Sequence, residues 1–142
     1  MTAPRSLVFK RAALVFIFLW FFLGGLAHFA FTAAEMRAVP PYIPWPYGAV
    51  IISGACELLG AFGLLWPRTR RASAWGLLFL TMAVTPANVY MYQHADAFAS
   101  VPPWALGARL PLQVALLALI AWIALRAPVP GSHNSLRIHN KT

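Results

Sequence analysis

The chain has 142 residues, 61% of them hydrophobic and only 10% charged, and its 11 Lys+Arg against 3 Asp+Glu give a formal net charge of +8. An ordinary soluble domain is about 45–50% apolar and about 25% charged, so too few charges remain here to coat a surface facing water, and lipid is the solvent such a surface suits. In a soluble chain this basic excess would point to nucleic acid. Here the basic residues stand at the ends of apolar runs and not on one face, which argues against nucleic acid and for a lipid bilayer.

A helix needs about 20 apolar residues to cross the hydrocarbon core, and four segments approach or meet that length: about 12–34, 47–66, 72–92 and 108–125. Transmembrane strands would alternate apolar and polar residues, whereas these runs are continuously apolar. The expected fold is therefore all-α, a transmembrane four-helix bundle. The first run follows Arg5, Lys10 and Arg11 and precedes small residues at Ala30–Ala34, as a signal peptide would. It exceeds the usual h-region of about 7–15 residues, and we read it as a crossing.

Nine basic residues flank these segments on one side: Arg5, Lys10 and Arg11, then Arg68, Arg70 and Arg71, then Arg126, Arg137 and Lys141. Only Arg37 and Arg109 fall in the other two connections. The positive-inside rule then places the N-terminus, central turn and C-terminus in the cytoplasm. Residues 1–11 read as a cytoplasmic segment, 12–126 as the membrane domain and 127–142 as a polar, disordered cytoplasmic tail. The expected location is a bacterial inner membrane.

The turn 67–71 is short, so helices two and three should pack antiparallel. The outer loop from Glu35 to Pro46 carries Pro40, Pro41, Pro44 and Pro46 with Tyr42 and Trp45. The second, around His94 to Gly107, carries Val101-Pro102-Pro103-Trp104. Prolines stiffen such loops, aromatics suit the interface, and together the loops should form a cap. Cys56 is the single cysteine. It permits no internal disulfide and no CxxC chemistry, and reads as a small buried apolar residue.

Ionisable residues inside a transmembrane helix cost roughly 2.5–3.5 kcal/mol at mid-helix. Glu57 stands at the middle of the second run, with small residues Ser53, Gly54, Gly60 and Ala61 at helical spacing. Such residues let helices approach closely, so Glu57 should face the bundle. His28, Asn88, Arg109 and Gln113 fall in the outer half of the other three runs. Thr81, Thr85, Asn88 and Tyr92 form one helical stripe, and Arg109 and Gln113, four apart, share a face. Pro86 should bend the third helix and free a carbonyl near this group. The five residues His28, Glu57, Asn88, Arg109 and Gln113 are the candidate ligand-binding or proton-relay set of an outward-facing polar pocket. Each has a bland counterpart: a protonated acid bonded to a neighbouring helix, a packing histidine, interhelical amide glue and a snorkelling arginine. No metal site is expected, since no second histidine stands at ligand spacing.

Four stretches resemble the DoxX family of small membrane proteins: Gly24-Gly25-Leu26-Ala27-His28-Phe29, Ser53-Gly54-Ala55-Cys56-Glu57-Leu58-Leu59-Gly60, Pro86-Ala87-Asn88-Val89-Tyr90-Met91 and Arg109-Leu110-Pro111-Leu112-Gln113. Their order and spacing carry the resemblance, which covers roughly Val15 to Trp122. It implies a four-helix membrane bundle and a place among quinone-linked redox systems, with a quinone as candidate cofactor. A partner oxidoreductase or a second copy of the chain is then the candidate partner. Whether the chain is itself an enzyme stays open. The alternative is a non-enzymatic membrane module that binds a lipid or small apolar ligand, or docks a partner. A small transporter is a third reading, but no inverted repeat is visible.

Overall fold

The computed structural model describes residues 5–127. Among them every regular element is helical: α1 (Arg5–Ala30), α2 (Thr32–Ala38), α3 (Pro46–Leu65), α4 (Arg70–Ala83), α5 (Thr85–Gln93), a 3-10 turn (Ala95–Phe98) and α6 (Pro103–Arg126). Four stretches are long and apolar enough to cross a membrane: Leu7–Ala30, Pro46–Leu65, Arg70–Gln93 and Pro103–Arg126. The expected tail lies, beyond Ala127, outside the described residues.

The helix limits differ from the hydropathy limits where polar residues or prolines enter a helix. Helix α1 starts at Arg5, before the hydropathy limit of about residue 12, and ends at Ala30. Phe31 leaves helical geometry at φ −123 and ψ 33, and the chain resumes as α2, so Glu35 is helical and not part of a loop. The Thr32 hydroxyl donates to the His28 carbonyl at 2.7 Å, satisfying a group that this break exposes. Val39 is extended because Pro40 follows it, and α2 stops there. The fourth crossing starts at Pro103, well before residue 108. A proline in the first turn lacks only an N–H that would have no helical partner, so it opens the helix instead of barring it. The third crossing is two helices meeting at Val84, just before Pro86.

Helices α1, α3, α4 and α6 pack in a ring, and the α1–α6 side is the sparsest of its four seams. Lipid supplies no hydrophobic drive between helices, so close packing must hold the ring. Helix α3 achieves this with glycine. A Cβ at Gly54 would lie 2.6 Å from His28 Cβ, and one at Gly25 3.0 Å from the Gly54 carbonyl.

The two ends of the ring differ. At the basic end Ile17, Leu77, Ile120 and Ile123 are fully buried in one apolar cluster. There Phe9 meets Trp122 edge-on at 5.5 Å, and Lys10 Nζ donates to the Arg126 carbonyl at 3.5 Å. The start of α1, the end of α6 and the α3–α4 turn thus share that end. The last carbonyls of α3 accept from Thr69 Oγ1 (Gly63, 2.7 Å) and Arg70 Nε (Leu64, 2.8 Å). At the opposite end Ala38, Met91, Phe98 and Leu106 form a second, smaller cluster that ties α2, α5, the 3-10 turn and α6 into a cap. Between the ends Leu19, Leu59, Phe62, Phe79 and Val114 are exposed on the outside, as a lipid-facing wall requires. Cys56 is exposed on that wall and is not the buried residue its apolar surroundings suggested.

Candidate functional site

A cavity of about 570 Å³ lies between the apolar cluster and the cap. All five residues singled out from the sequence line it: His28 from α1, Glu57 from α3, Asn88 from α5, and Arg109 and Gln113 from α6. Phe21 and Leu116, both nearly fully buried, belong to the apolar cluster below and form the cavity floor. Ala38, Val39, Pro40 and Ile43 line it from the cap.

Glu57 lies eleven residues past the start of α3, about 16 Å along the axis at the usual helical rise. It is 8% exposed. Its Oε1 is 3.5 Å from His28 Nε2 on the facing helix. Glycine makes this meeting possible, since a Cβ at Gly24 would stand 2.7 Å from Glu57 Oε2. Two buried atoms of this pair, Glu57 Oε2 and His28 Nδ1, have no hydrogen-bond partner among the described residues. Buried polar atoms are usually paired, because leaving one unpaired costs about 1–3 kcal/mol. The pair therefore retains hydrogen-bonding capacity at the cavity.

The amides are in a different condition. Gln113 Nε2 donates to the Thr81 carbonyl at 2.9 Å and also to Thr85 Oγ1, and Gln113 Oε1 accepts from Asn88 Nδ2. Both amide protons of Gln113 are thus committed to α4 and α5. Thr85 Oγ1 also donates to the Thr81 carbonyl at 3.1 Å. This network holds α6 against the helix break at Val84. The carbonyl serving it is that of Thr81, whereas Pro86 removes the donor for Met82. Thr81, Thr85 and Asn88 share the network as their spacing suggested, but Tyr92 is exposed and does not line the cavity.

Arg109 is exposed at the cavity edge, and its Nη1 donates to Met91 Sδ at 3.5 Å. A thioether is a weak acceptor, so most of the guanidinium's donor capacity stays available. Glu35 also lines the cavity. Its place after the first apolar run suggests a loop, but the short helix α2 carries it to the cavity. Ser53 and Thr81 are further polar members of the lining. Among the described residues no three His, Cys, Asp or Glu side chains gather as a metal site would need.

The family model described as a domain of unknown function, DUF8561, matches residues 17–125, and the chain belongs to that family. No curated protein and no solved structure matches the chain.

Proposed function

We propose that this DUF8561 chain is a multi-pass membrane protein, with both ends and the Arg68–Arg71 turn cytoplasmic, that binds a lipid-soluble ligand by a polar head group in the cavity beside Glu57. The observation that carries this reading is the pair of unpartnered buried atoms, Glu57 Oε2 and His28 Nδ1, on a cavity of about 570 Å³. A chain needing only interhelical glue would close such a space and pair both atoms.

The specific form we propose is a membrane subunit of a quinone-linked redox system, related to the DoxX proteins. All four stretches behind that resemblance contribute to the cavity wall: Gly24, Ala27 and His28; Ser53 and Glu57; Ala87, Asn88 and Met91; Arg109, Leu112 and Gln113. The donor set suits a quinone head. Arg109 would donate to one of its oxygens, and His28 and Glu57 would give or take a proton at the other. A bound quinone would supply reversible electron transfer, with a partner oxidoreductase as the other redox component. The alternative is a module without chemistry that holds a lipid or docks a partner. The apolar part of the lining, from Phe21, Val50 and Leu116, favours a lipid as strongly as a quinone.

Native mass spectrometry of gently extracted protein tests both readings. A bound quinone supports the redox form, a bound lipid supports the alternative, and an empty protein from membranes rich in both counts against a ligand-binding cavity. Glu57→Gln should lower ligand occupancy while leaving the fold intact.

A further inference from the structure

The geometry points to a cavity that opens sideways into the bilayer between α1 and α6, so that its occupant is an amphiphile whose head sits beside Glu57 and whose apolar tail leaves over Leu23 and Leu112. This rests on the reading of the cavity as a ligand site in a membrane-spanning chain.

Three observations converge. The first is the seam itself. Helices α1 and α6 make the sparsest contact around the ring, and they are joined at the basic end by Phe9 on Trp122 and Lys10 on Arg126. The second is where the exposed lining residues stand. Five residues of the lining are exposed, and four of them flank this seam: Trp20 (41%) and Leu23 (60%) on α1, and Arg109 and Leu112 (44%) on α6; the fifth, the small Ala83, stands on α4. Lining residues that are also open to the outside gather at a mouth, and the large apolar ones among them, Trp20, Leu23 and Leu112, all stand on α1 and α6. The third is the state of the other walls. The floor is sealed by Phe21 and Leu116, at 3% and 6% exposure, and the α3 wall carries the buried Val50 and Glu57. Above, Ala38 and Pro40 of the cap are buried against it.

The chemistry of the mouth selects the occupant. Trp20, Leu23 and Leu112 offer no charge, and they lie within runs apolar enough to cross a membrane, where water is scarce. A water-soluble substrate gains nothing from such a passage. An alkyl or isoprenoid tail does, because it stays in apolar surroundings while the head exchanges lipid for the polar atoms of Glu57, His28 and Arg109. Arg109 stands at the same edge, within α6 one turn from Gln113, placed to meet the head as it passes.

Spin-label accessibility in nanodiscs tests the mouth without knowing the ligand. In a Cys56→Ala background of the full chain, a nitroxide is attached at Ala87→Cys and, separately, at Ala49→Cys, both on walls away from the seam. Collision with oxygen reports lipid access, and collision with a nickel chelate reports water access. The expected result at both sites is oxygen access close to that of a label at the lipid-facing Leu59→Cys, little nickel access, and a several-fold fall in oxygen access when Leu23 and Leu112 are both changed to Trp. Low oxygen access, or nickel access exceeding it, overturns the sideways mouth. A label that prevents folding at one site leaves the other to decide. Native mass spectrometry of the Leu23→Trp, Leu112→Trp protein should show several-fold less bound ligand. An open seam with no ligand in the wild type sinks the ligand reading alone, and a closed seam with ligand bound sinks the mouth alone.

Discussion

Glu57 Oε1 and His28 Nε2 face each other at 3.5 Å across the α1–α3 interface, while the remaining polar atom of each side chain is buried without a partner among the described residues. An acid at the middle of an apolar helix, as Glu57 is in α3, is costly in lipid. The meeting of the two side chains depends on the absence of side chains at Gly24 and Gly54, which stand against Glu57 and His28 respectively. The chemistry of the pair and the packing of the helices are therefore one feature.

That dependence predicts opposite outcomes for two glycine substitutions. Gly24→Ala places a methyl 2.7 Å from Glu57 Oε2, so the carboxylate must move, and overpacking should cost about 1–3 kcal/mol. Gly76→Ala meets nothing within 4 Å and should stabilise α4 by about 0.5–1 kcal/mol through helix propensity. Thermal unfolding in detergent reads both. Equal effects from the two would show that the Gly24 contact is not needed.

The amide network predicts coupling. Replacing Gln113 by Leu removes its bonds to Thr81, Thr85 and Asn88 together, and should destabilise the bundle more than Asn88→Ala does. Hydrogen bonds between membrane helices average about 0.6 kcal/mol and reach about 1.7 kcal/mol. A double-mutant cycle between Asn88 and Gln113 should return a coupling in that range. A coupling near zero would mean that the two amides act independently. Because Gln113 is already committed, the same substitutions should lower ligand occupancy less than Glu57→Gln does.

Why some of this was legible in the sequence and some was not follows from the solvent. Helices are the only open-chain structure that satisfies its own backbone in lipid, so the four apolar runs sufficed to locate the four stretches long and apolar enough to cross a membrane. Polar residues within them are driven inward, so depth alone pointed to His28, Glu57, Asn88 and Gln113, which line the cavity, while Arg109 lines it from an exposed position at the edge. Hydropathy does not report which polar group bonds to which. Gln113 and Glu57 look alike in the sequence, yet one is spent on helix contacts and the other keeps an unpartnered oxygen. The apolar run ends before Glu35, so hydropathy does not show that a second short helix carries this residue to the cavity, and Pro102 and Pro103 make the start of α6 read as a loop. Cys56 is exposed although its neighbours in sequence are apolar, because in a chain suited to lipid an apolar neighbourhood does not imply burial.

The exposed position of Cys56 predicts that its replacement is silent. Cys56→Ala removes no contact with the bundle interior, and surface substitutions usually fall within about 0.5 kcal/mol. Unfolding temperature and ligand occupancy should match the wild type. A clear loss of either would place the thiol in an interface with a partner or a second copy of the chain.

The basic end predicts orientation and local stability together. Lys10, Arg70 and Arg126 each use side-chain or backbone atoms to close the ends of α1, α3 and α6, and the same residues supply the charge bias that should hold this end in the cytoplasm. Two substitutions separate these roles. Arg70→Gln loses the guanidinium contacts to the Leu64 and Leu65 carbonyls, which should cost about 0.3–1 kcal/mol at the α3 C-terminus, while the remaining basic residues keep the orientation. Arg68→Glu has no such contact to lose and should leave stability unchanged while weakening the bias. Reporter fusions at both termini and in the 94–102 loop, combined with unfolding measurements, read the two effects separately. Termini reporting from opposite faces, or a loop reporting from the cytoplasm in the wild type, would refute the proposed topology and with it the outward placement of the cavity.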